Sequence, residues 1–244
     1  MAVLLDSFVI GSLNNHLYYN IKILVISKIN MNFDKNNSFC ISLFSNERRL
    51  KKMQERFDKL GMDVTRFQAS TPQDVKGNFA AHLNVGQKCC ALSHFRLWEQ
   101  IFMSGLEYAL IIEDDARFDV EWREKLDGCF HNLNADWDAV FLNCSEPIVP
   151  AFQWQKIQEQ YLTGGYVISK KGVAKILGLF SQMHYASDWM TSRLQTMGNC
   201  YSYFPWLIVQ DGSESTIGSD YSADHLKVVR CLNEINYDLD EHYI

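Results

Sequence analysis

The sequence lacks several features that would assign it to a familiar class of protein. It contains no run of about 18 apolar residues, so no membrane-spanning helix is predicted. It has no C-x-x-C pair and an odd number of cysteines, seven, so neither a thiolate zinc site nor a disulfide framework is favoured. G-x-G-x-x-G and G-x-x-x-x-G-K-[ST] are both missing, which argues against dinucleotide and P-loop sites. Reduced, mostly buried thiols in the cytosol are the expectation.

Basic side chains are also scarce relative to acidic ones. The chain has 23 Lys and Arg residues against 29 Asp and Glu residues, a formal net charge of −6 at pH 7. Nucleic-acid binding needs a strongly basic face, so that class is disfavoured, whereas an oxygen-ligated metal between the protein and a phosphate suits this balance. A hydrophobic content of 47% over 244 residues excludes a disordered chain and suffices for one large domain.

Strand-like and helix-like segments alternate from residue 38 onward. In the first helix Leu50, Met53 and Phe57 recur at helical spacing, and Ser45 stands where its N-cap is expected. The patterns predict strands over 38–44, 62–68, 108–112, 138–143, 161–169 and 200–204, and helices over 46–60, 87–104, 121–132, 172–182 and 187–197.

This alternation predicts an α/β fold with a mostly parallel central sheet covered by helices on both faces. We predict one domain over residues 37–220. Residues 1–36 form an N-terminal extension whose structure the sequence does not define, and residues 221–244 form an acidic C-terminal tail.

Three consecutive acids, Glu113, Asp114 and Asp115, directly follow the strand-like run 108–112. Ligands of open α/β sheets bind beyond the carboxyl ends of strands, so the triplet lies at the expected functional edge. Adjacent carboxylates repel one another unless a cation or solvent compensates, and their oxygens suit Mg²⁺ or Mn²⁺ together with a substrate phosphate. The alternative is a solvated acidic turn.

Other polar candidates lie at strand ends and helix starts. Arg48 and Arg49 begin the first helix, where basic groups beside free backbone N–H donors can hold a phosphate. Gly164 and Gly165 interrupt a strand, which indicates either a close backbone approach to a ligand or a tight bend. Asp188 stands alone beside a tryptophan and is either a catalytic base or an acid at a helix start.

His94 falls on the apolar stripe of the predicted helix 87–104, at helical spacing from Cys90, Leu97 and Ile101. A histidine in that position is most often a satisfied core residue, and its rarer use is to bond a substrate or a neighbouring acidic loop. We therefore expect His94 to pack or to orient another group rather than to transfer protons.

Six segments in order resemble glycosyltransferase family 25, whose bacterial members build lipooligosaccharide. The segments are ISLFSNERR (41–49), CALSHFRLW (90–98), YALIIEDDARF (108–118), LTGGYVISKKG (162–172), SDWM (187–190) and VQDGSESTIGS (209–219). The resemblance implies a GT-A-like fold, a nucleotide-sugar donor that is commonly UDP-galactose, a Mn²⁺ (or Mg²⁺) cofactor and inversion at the anomeric carbon. The chain departs from the family pattern at Gly86-Gln87, where the family usually has Gly-Glu.

The resemblance also implies roles for the candidate residues. Asp115 and Glu113 would hold the metal. Our own first choice for the general base that inversion needs is Asp188, an isolated acid after the second half of the sheet, with Asp211 and Glu214 in reserve. From its place on the helix stripe, His94 is expected to orient its neighbours. The donor would be held by Ser42, Leu43, Arg48, Arg49, Glu113, Asp114, Gly164 and Gly165.

Two other functions share parts of this pattern. A sugar-phosphate nucleotidyltransferase would use a similar sheet and metal but normally has a Gly-rich basic loop after the first strand, and LFSNERR has no glycine. A non-catalytic carbohydrate-binding protein would not need an intact acidic triplet.

The expected partners are the nucleotide-sugar donor and a glycan or lipid-linked oligosaccharide acceptor, without nucleic acid. Residues 211–244 hold eight acids against Lys227 and Arg230, so we expect weak peripheral membrane contact at most. The expected location is cytoplasmic, including the inner face of a bacterial inner membrane.

Overall fold

The apolar runs and amphipathic segments of the sequence form nine strands and seven α-helices in the part of the chain that the structure describes. The structure, a computed structural model, describes residues 31–133, 136–182, 184–211 and 221–244. The strands are β1 (Ser38–Ser42), β2 (Thr65–Gln68), β3 (Tyr108–Glu113), β4 (Ala116–Phe118), β5 (Ala139–Phe141), β6 (Gln153–Lys156), β7 (Gly165–Ser169), β8 (Cys200–Phe204) and β9 (Ile208–Gln210). The helices are α1 (Glu47–Leu60), α2 (Val85–Ser104), α3 (Trp122–Asn132), α4 (Lys170–Phe180), α5 (Ser187–Met197), α6 (Tyr221–Asn233) and α7 (Leu239–His242).

Seven strands form one central sheet in the order β2-β1-β3-β7-β5-β8-β6. Strand β1 runs parallel to β2 and β3, and β5 runs parallel to β8. Strand β7 is antiparallel to both β3 and β5, so those two point the same way, and β6 is antiparallel to β8. Five of the seven strands therefore share one direction, and the predicted mostly parallel α/β sheet of a GT-A-like fold is confirmed.

Both faces of the sheet are buried. Successive side chains of a strand point to opposite faces, so one strand shows what covers each face. In β3, Ala109 and Ile111 join one apolar cluster and Leu110 and Ile112 join the other. The first cluster includes side chains from α2, α4 and α5, and the second includes Met53 of α1 together with residues of α3. Helices thus cover both faces, as predicted.

Two details at the end of β1 differ from the prediction. The strand ends at Ser42 rather than at residue 44, and the N-cap of α1 is Asn46 rather than Ser45. The Asn46 side chain accepts a hydrogen bond from Arg49 N at 3.2 Å, which satisfies one of the free N–H groups of the first turn. A short turn between strand and helix, closed by Asn46 N donating to Leu43 O, displaces the cap by one residue.

A second, two-stranded sheet joins β4 to β9 and was not predicted. The end of the chain packs beside it: Phe118 and Ile244 exchange two backbone hydrogen bonds of 2.9 Å. At the next residue along the chain, the buried carboxylate of Asp119 accepts hydrogen bonds from Lys125 and Tyr237. Residues 221–244 therefore contribute α6, α7 and a final extended segment that lies against the central domain.

The first described residues also contact the sheet. Met31 is 2% exposed and packs in the second apolar cluster, and Asn32 N donates to the Tyr108 hydroxyl at 2.9 Å. Residues 1–30 and 212–220 lie outside the described residues, and with them most of the predicted extension and the reserve base Glu214. Among the described residues, no helix is long and apolar enough to span a membrane.

Candidate active site

The carboxyl ends of four parallel strands meet at one cleft of about 640 Å³. Leu43 follows β1, Asp114 and Asp115 follow β3, Asn143 follows β5, and Trp206 follows β8, and all of these line the cleft. A volume of this size lies in the range typical of small-molecule sites. The sheet topology thus gathers polar residues that are far apart in sequence, at the edge where α/β proteins bind ligands.

Three consecutive acids stand at the end of β3, and we call them the acid cluster (Glu113, Asp114 and Asp115). A basic side chain from α1 contacts two of them. The Arg49 guanidinium lies 2.9 Å from a carboxylate oxygen of Asp114 and 2.9 Å from one of Asp115. Its Nε also donates to the Asp114 carbonyl at 3.4 Å. One guanidinium therefore bridges two carboxylates at the mouth of the cleft.

Burial makes this cluster costly to ionise. Desolvation, reinforced by the neighbouring charge of Glu113, raises the pKa of Asp115 from 3.8 to about 7. Desolvation also raises the pKa of Asp114 to about 6, although Arg49 opposes the shift. The positive charge of Arg49 is thus insufficient for the cluster, and a further cation is the group that would let all three acids ionise together.

Glu113 is held differently from its two neighbours. Its Oε1 accepts hydrogen bonds from His94 Nε2 at 2.9 Å and from the Thr163 hydroxyl at 2.8 Å, and its Oε2 lies 3.3 Å from Gln210 Nε2. Burial raises the pKa of Glu113, but the interactions with His94, Thr163 and the charge of Arg49 outweigh burial and hold the pKa below its usual value. Glu113 is therefore the member of the cluster that ionises at the lowest pH.

His94 is fully buried, and its neighbours define its tautomer. Trp98 Nε1, which can only donate, bonds the Tyr166 hydroxyl at 2.9 Å. The hydroxyl hydrogen of Tyr166 then points to His94 Nδ1 at 2.8 Å, so Nδ1 is the acceptor and Nε2 carries the proton given to Glu113. The two hydrogen bonds fix the direction of the imidazole ring, which is the geometry of an orienting residue.

A second group of potential metal ligands overlaps the acid cluster. One ligand atom each from Cys90, His94 and Glu113 lies within 4.8 Å of the others. Burial raises the pKa of the Cys90 thiol well above its usual value, and His94 already donates to Glu113, so this set is poorly prepared for a metal. The oxygens of the acid cluster fit a hard cation such as Mn²⁺ or Mg²⁺ better.

Asp188 lines the cleft from the first turn of α5. Its Oδ1 accepts a hydrogen bond from Trp189 N at 2.7 Å, while burial and the charge of Glu113 raise its pKa. The reserve candidate Asp211 is bound by Arg56 at 2.6 Å and by Lys52 at 3.6 Å, and despite burial these cations lower its pKa. Of the two described candidates, Asp188 is the stronger proton acceptor.

The remaining predicted residues lie in or beside the same cleft. Ser42 lines it, and Arg48 lines a small adjoining pocket formed by the basic face of α1 and the acids Asp114, Asp115 and Asp211. Gly164 and Gly165 lie where the chain enters β7. A Cβ on Gly164 would stand 2.9 Å from Asn143 Nδ2, and one on Gly165 would stand 2.3 Å from Ile208 Cδ1. The closest atoms at both glycines thus belong to protein side chains.

The departure from the family pattern at Gln87 has a local explanation. Gln87 Oε1 accepts from Asn84 N at 3.0 Å, and Gln87 N donates to Asn84 Oδ1 at 2.9 Å. This reciprocal pair is a capping box, in which glutamine serves as well as glutamate. Gln87 therefore holds the first turn of α2 at the rim of the cleft.

Several site residues were not predicted from the sequence. Thr163 and Gln210 bond the acid cluster, Tyr166 bonds His94, and Asn143 and Trp206 line the cleft. All five lie at or next to strand ends, and Asn143 immediately follows the apolar residues of a predicted strand. Position at a strand end was the available signal, but which strands are neighbours could not be read from the sequence.

A family model and individual relatives both match this chain, and both belong to the family that the sequence motifs resemble. The family model described as "Glycosyltransferase family 25 (LPS biosynthesis protein)" matches residues 35–157. Procollagen galactosyltransferase 1 of Danio rerio is 33% identical over 106 residues, which cover 39% of this chain and 18% of that protein. Procollagen galactosyltransferase 1-B of Xenopus laevis is 32% identical over 106 residues, 39% of this chain and 17% of that protein.

A third relative is matched over a longer stretch. The glycosyltransferase 25 family member of Anopheles gambiae is 25% identical over 165 residues, which cover 57% of this chain and 28% of that protein. The matched region thus spans less than a third of the length of each of these relatives. The family match covers half of the chain and includes β1, α1, α2, β3 and the acid cluster, and the chain belongs to glycosyltransferase family 25.

Proposed function

We propose that this chain is an inverting glycosyltransferase that moves galactose from UDP-galactose to a hydroxyl group of a glycan acceptor. The observation that carries the proposal is the acid cluster at the end of β3, which faces a cleft of about 640 Å³ and is only partly compensated by Arg49. A buried acidic group that needs a cation, beside basic residues of α1, is suited to a metal-bound diphosphate. The names of the galactosyltransferase relatives support the choice of sugar.

The acid cluster supplies the ligands for the metal in this proposal. Asp115 and Glu113 would hold Mn²⁺ or Mg²⁺, and Asp114 would help to place the donor. When bound, the ion acts as a Lewis acid that offsets the charge of the departing diphosphate. Arg49 lies 2.9 Å from two of these carboxylates and is close enough to contact a phosphate as well. Arg48, Ser42 and Leu43 would complete the donor pocket.

Inversion requires a single in-line attack, for which the acceptor hydroxyl needs a base. Asp188 is our choice, because it lines the cleft and burial raises its pKa. Its carboxylate would take the proton of the acceptor hydroxyl as the hydroxyl oxygen bonds the anomeric carbon. The bond from that carbon to the diphosphate breaks in the same step. His94 does not touch this reaction; it would orient Glu113 through the 2.9 Å hydrogen bond.

A lipooligosaccharide or related glycan is the acceptor that we propose, in line with the description of the family model as an LPS biosynthesis protein. The test is to incubate purified protein with Mn²⁺ and a panel of nucleotide sugars, and to measure UDP release. Lactose-terminated glycans, glucose-terminated glycans and a procollagen peptide serve as acceptors. Metal-dependent release of UDP with elongation of a glycan is expected. Release of pyrophosphate from a nucleoside triphosphate would favour a nucleotidyltransferase, and sugar binding without turnover would favour a carbohydrate-binding protein.

We also propose a cytoplasmic location. Membrane contact should be weak, because acids outnumber bases eight to two in residues 211–244. An anionic surface attracts basic residues by about 1 kcal/mol each and repels acidic segments. Co-sedimentation with anionic vesicles, in the absence of acceptor, tests this. Little binding is expected, and strong salt-sensitive binding that disappears when the acidic tail is deleted would contradict it.

A further inference from the structure

Buried polar atoms without a partner are concentrated at the cleft. Among the described residues, five buried side-chain nitrogen or oxygen atoms make no hydrogen bond within the protein, and three belong to residues that line the cleft: Ser42 Oγ, Asn143 Nδ2 and Trp206 Nε1. Each of these side chains is at most 2% exposed. Protein interiors satisfy most buried polar groups, so this concentration indicates a ligand that supplies the missing partners.

The amide of Asn143 has a defined orientation. Its Oδ1 accepts a hydrogen bond from Gly165 N at 3.1 Å. The opposite orientation would set the amide NH₂ against that N–H, two donors face to face, so the unpartnered group is the NH₂. Nδ2 is therefore a pure donor, held in place by the start of β7.

This donor lies next to the acid cluster. The Cβ position of Gly164 is 2.9 Å from Asn143 Nδ2 and 2.9 Å from Gln210 Cγ, so one glycine separates the two side chains. The amide nitrogen of Gln210 in turn lies 3.3 Å from Glu113 Oε2 and 3.5 Å from Asp115 Oδ1. A group that bonds Asn143 would thus be adjacent to whatever the acid cluster binds.

Trp206 is held just as firmly. Its ring packs on Phe204 with the ring centroids 4.8 Å apart, and its carbonyl accepts a hydrogen bond from the buried Tyr243 hydroxyl. The indole N–H can only donate and has no acceptor among the described residues. Trp206 and Asn143 thus offer uncharged donors from neighbouring strand ends, β8 and β5.

We propose that Asn143 Nδ2 and Trp206 Nε1 donate hydrogen bonds to hydroxyl oxygens of a pyranose ring, and so form the subsite that recognises the sugar. This inference rests on the proposed function. Two uncharged donors suit neutral hydroxyl oxygens, whereas the phosphates would meet Arg48 and Arg49, which line a separate small pocket with Asp114 and Asp115. The proximity of Asn143 to the acid cluster favours the hexose of the donor, and the terminal sugar of the acceptor is the other source of the same chemistry.

The test compares the binding of UDP-galactose with that of UDP by calorimetry in the presence of Mn²⁺, because their difference isolates the hexose. The first variant is Trp206→Phe, which removes the N–H with part of the ring and keeps an aromatic side chain. The second is Asn143→Asp, which keeps the oxygen that accepts the hydrogen bond from Gly165 N. Each variant is expected to weaken UDP-galactose binding about 5–10-fold, the effect of one hydrogen bond, while UDP binding is retained. The control is Trp154→Phe, since Trp154 Nε1 already donates to Lys125 O at 3.1 Å outside the cleft.

A second arm measures the KM of a glucose-terminated acceptor at saturating donor. A rise in that KM in both variants, with the two nucleotides unaffected, would assign the same hydroxyl recognition to the acceptor sugar. Folded variants that change neither the UDP-galactose affinity nor the acceptor KM would overturn the inference while the proposed function stands. Failure of the wild-type protein to bind either nucleotide would overturn the proposed function, and this inference with it.

Discussion

Replacing Asp115 with asparagine should separate the catalytic contribution of the acid cluster from its effect on folding. Asn resembles the protonated acid in shape but cannot ionise. Burial raises the pKa of Asp115 from 3.8 to about 7, so the folded protein binds more protons than the unfolded chain between these values. The contribution of Asp115 to the free energy of unfolding is therefore most favourable below pH 3.8 and is lost as the pH rises to about 7. At 1.36 kcal/mol per pKa unit, the full penalty above pH 7 is on the order of 4 kcal/mol.

Asp115→Asn removes this penalty, so the metal-free variant should be more stable than the wild type at about pH 8, and the difference should vanish at about pH 4. Urea unfolding of the variant and the wild type, in the presence of a chelator, measures this difference in stability at each pH. In the same preparation, sugar transfer with Mn²⁺ should fall about 100-fold or more, because a metal ligand is lost. A variant that is less stable at the higher pH and transfers sugar at the wild-type rate would refute the reasoning.

Three further predictions follow from packing, hydrogen bonding and charge. His94→Gln should lower the melting temperature, by about 2–4 °C for each kcal/mol of stability lost in a chain of this size. The limbs of the pH–rate profile should stay in place, since we assign His94 to orient Glu113. A lost basic limb with an unchanged melting temperature would contradict this. Gly172→Ala should destabilise the protein by about 2–3 kcal/mol, because the new Cβ would stand 2.3 Å from Asp138 O. Gly178→Ala on the same helix should stabilise the protein by about 0.5–1 kcal/mol, since its Cβ would have no other atom within 4 Å. Equal effects of the two variants in urea titrations would show that α4 is packed differently. Mn²⁺ affinity, measured by calorimetry, should fall as the pH drops through about 7 and then about 6, since protons compete at the acid cluster; a pH-independent affinity would exclude these acids as ligands.

Elements with strong local patterns were predicted well. Helix α5 has the predicted bounds, Ser187–Met197, and β8 has the predicted bounds, Cys200–Phe204. The stripe of α1 packs inward as expected, with Met53 and Phe57 buried. These elements are defined by apolar spacing within a single segment, which is information that the sequence contains directly.

Short strands that depend on distant partners were missed. Strand β4 exists because Ala116 pairs with Gln210, almost a hundred residues away, and β6 pairs with β8 at the edge of the sheet. The two strands have only three and four residues, too few for a local pattern to identify them. Helix α6 was also missed, since the C-terminal residues were interpreted by charge rather than by periodicity.

The site was predictable in part for the same reason. The acid cluster follows a strongly apolar strand, so its position at the sheet edge could be inferred from the sequence alone. That Gln210 and Asn143 lie beside it depends on the strand order β3-β7-β5 and on the pairing of β9 with β4. Local pattern does not specify strand order, and for this reason Tyr166 and Thr163, both near the start of β7, were also not identified as site residues.

The most direct test of the central claim is the affinity of UDP for the wild-type protein, measured by calorimetry with Mn²⁺ and again with a chelator. If the acid cluster binds a metal–diphosphate, Mn²⁺ should tighten UDP binding at least about tenfold, a difference of about 1.4 kcal/mol, and Asp115→Asn should abolish that gain. Equal affinity with and without the metal, or a gain that survives in Asp115→Asn, would contradict the claim.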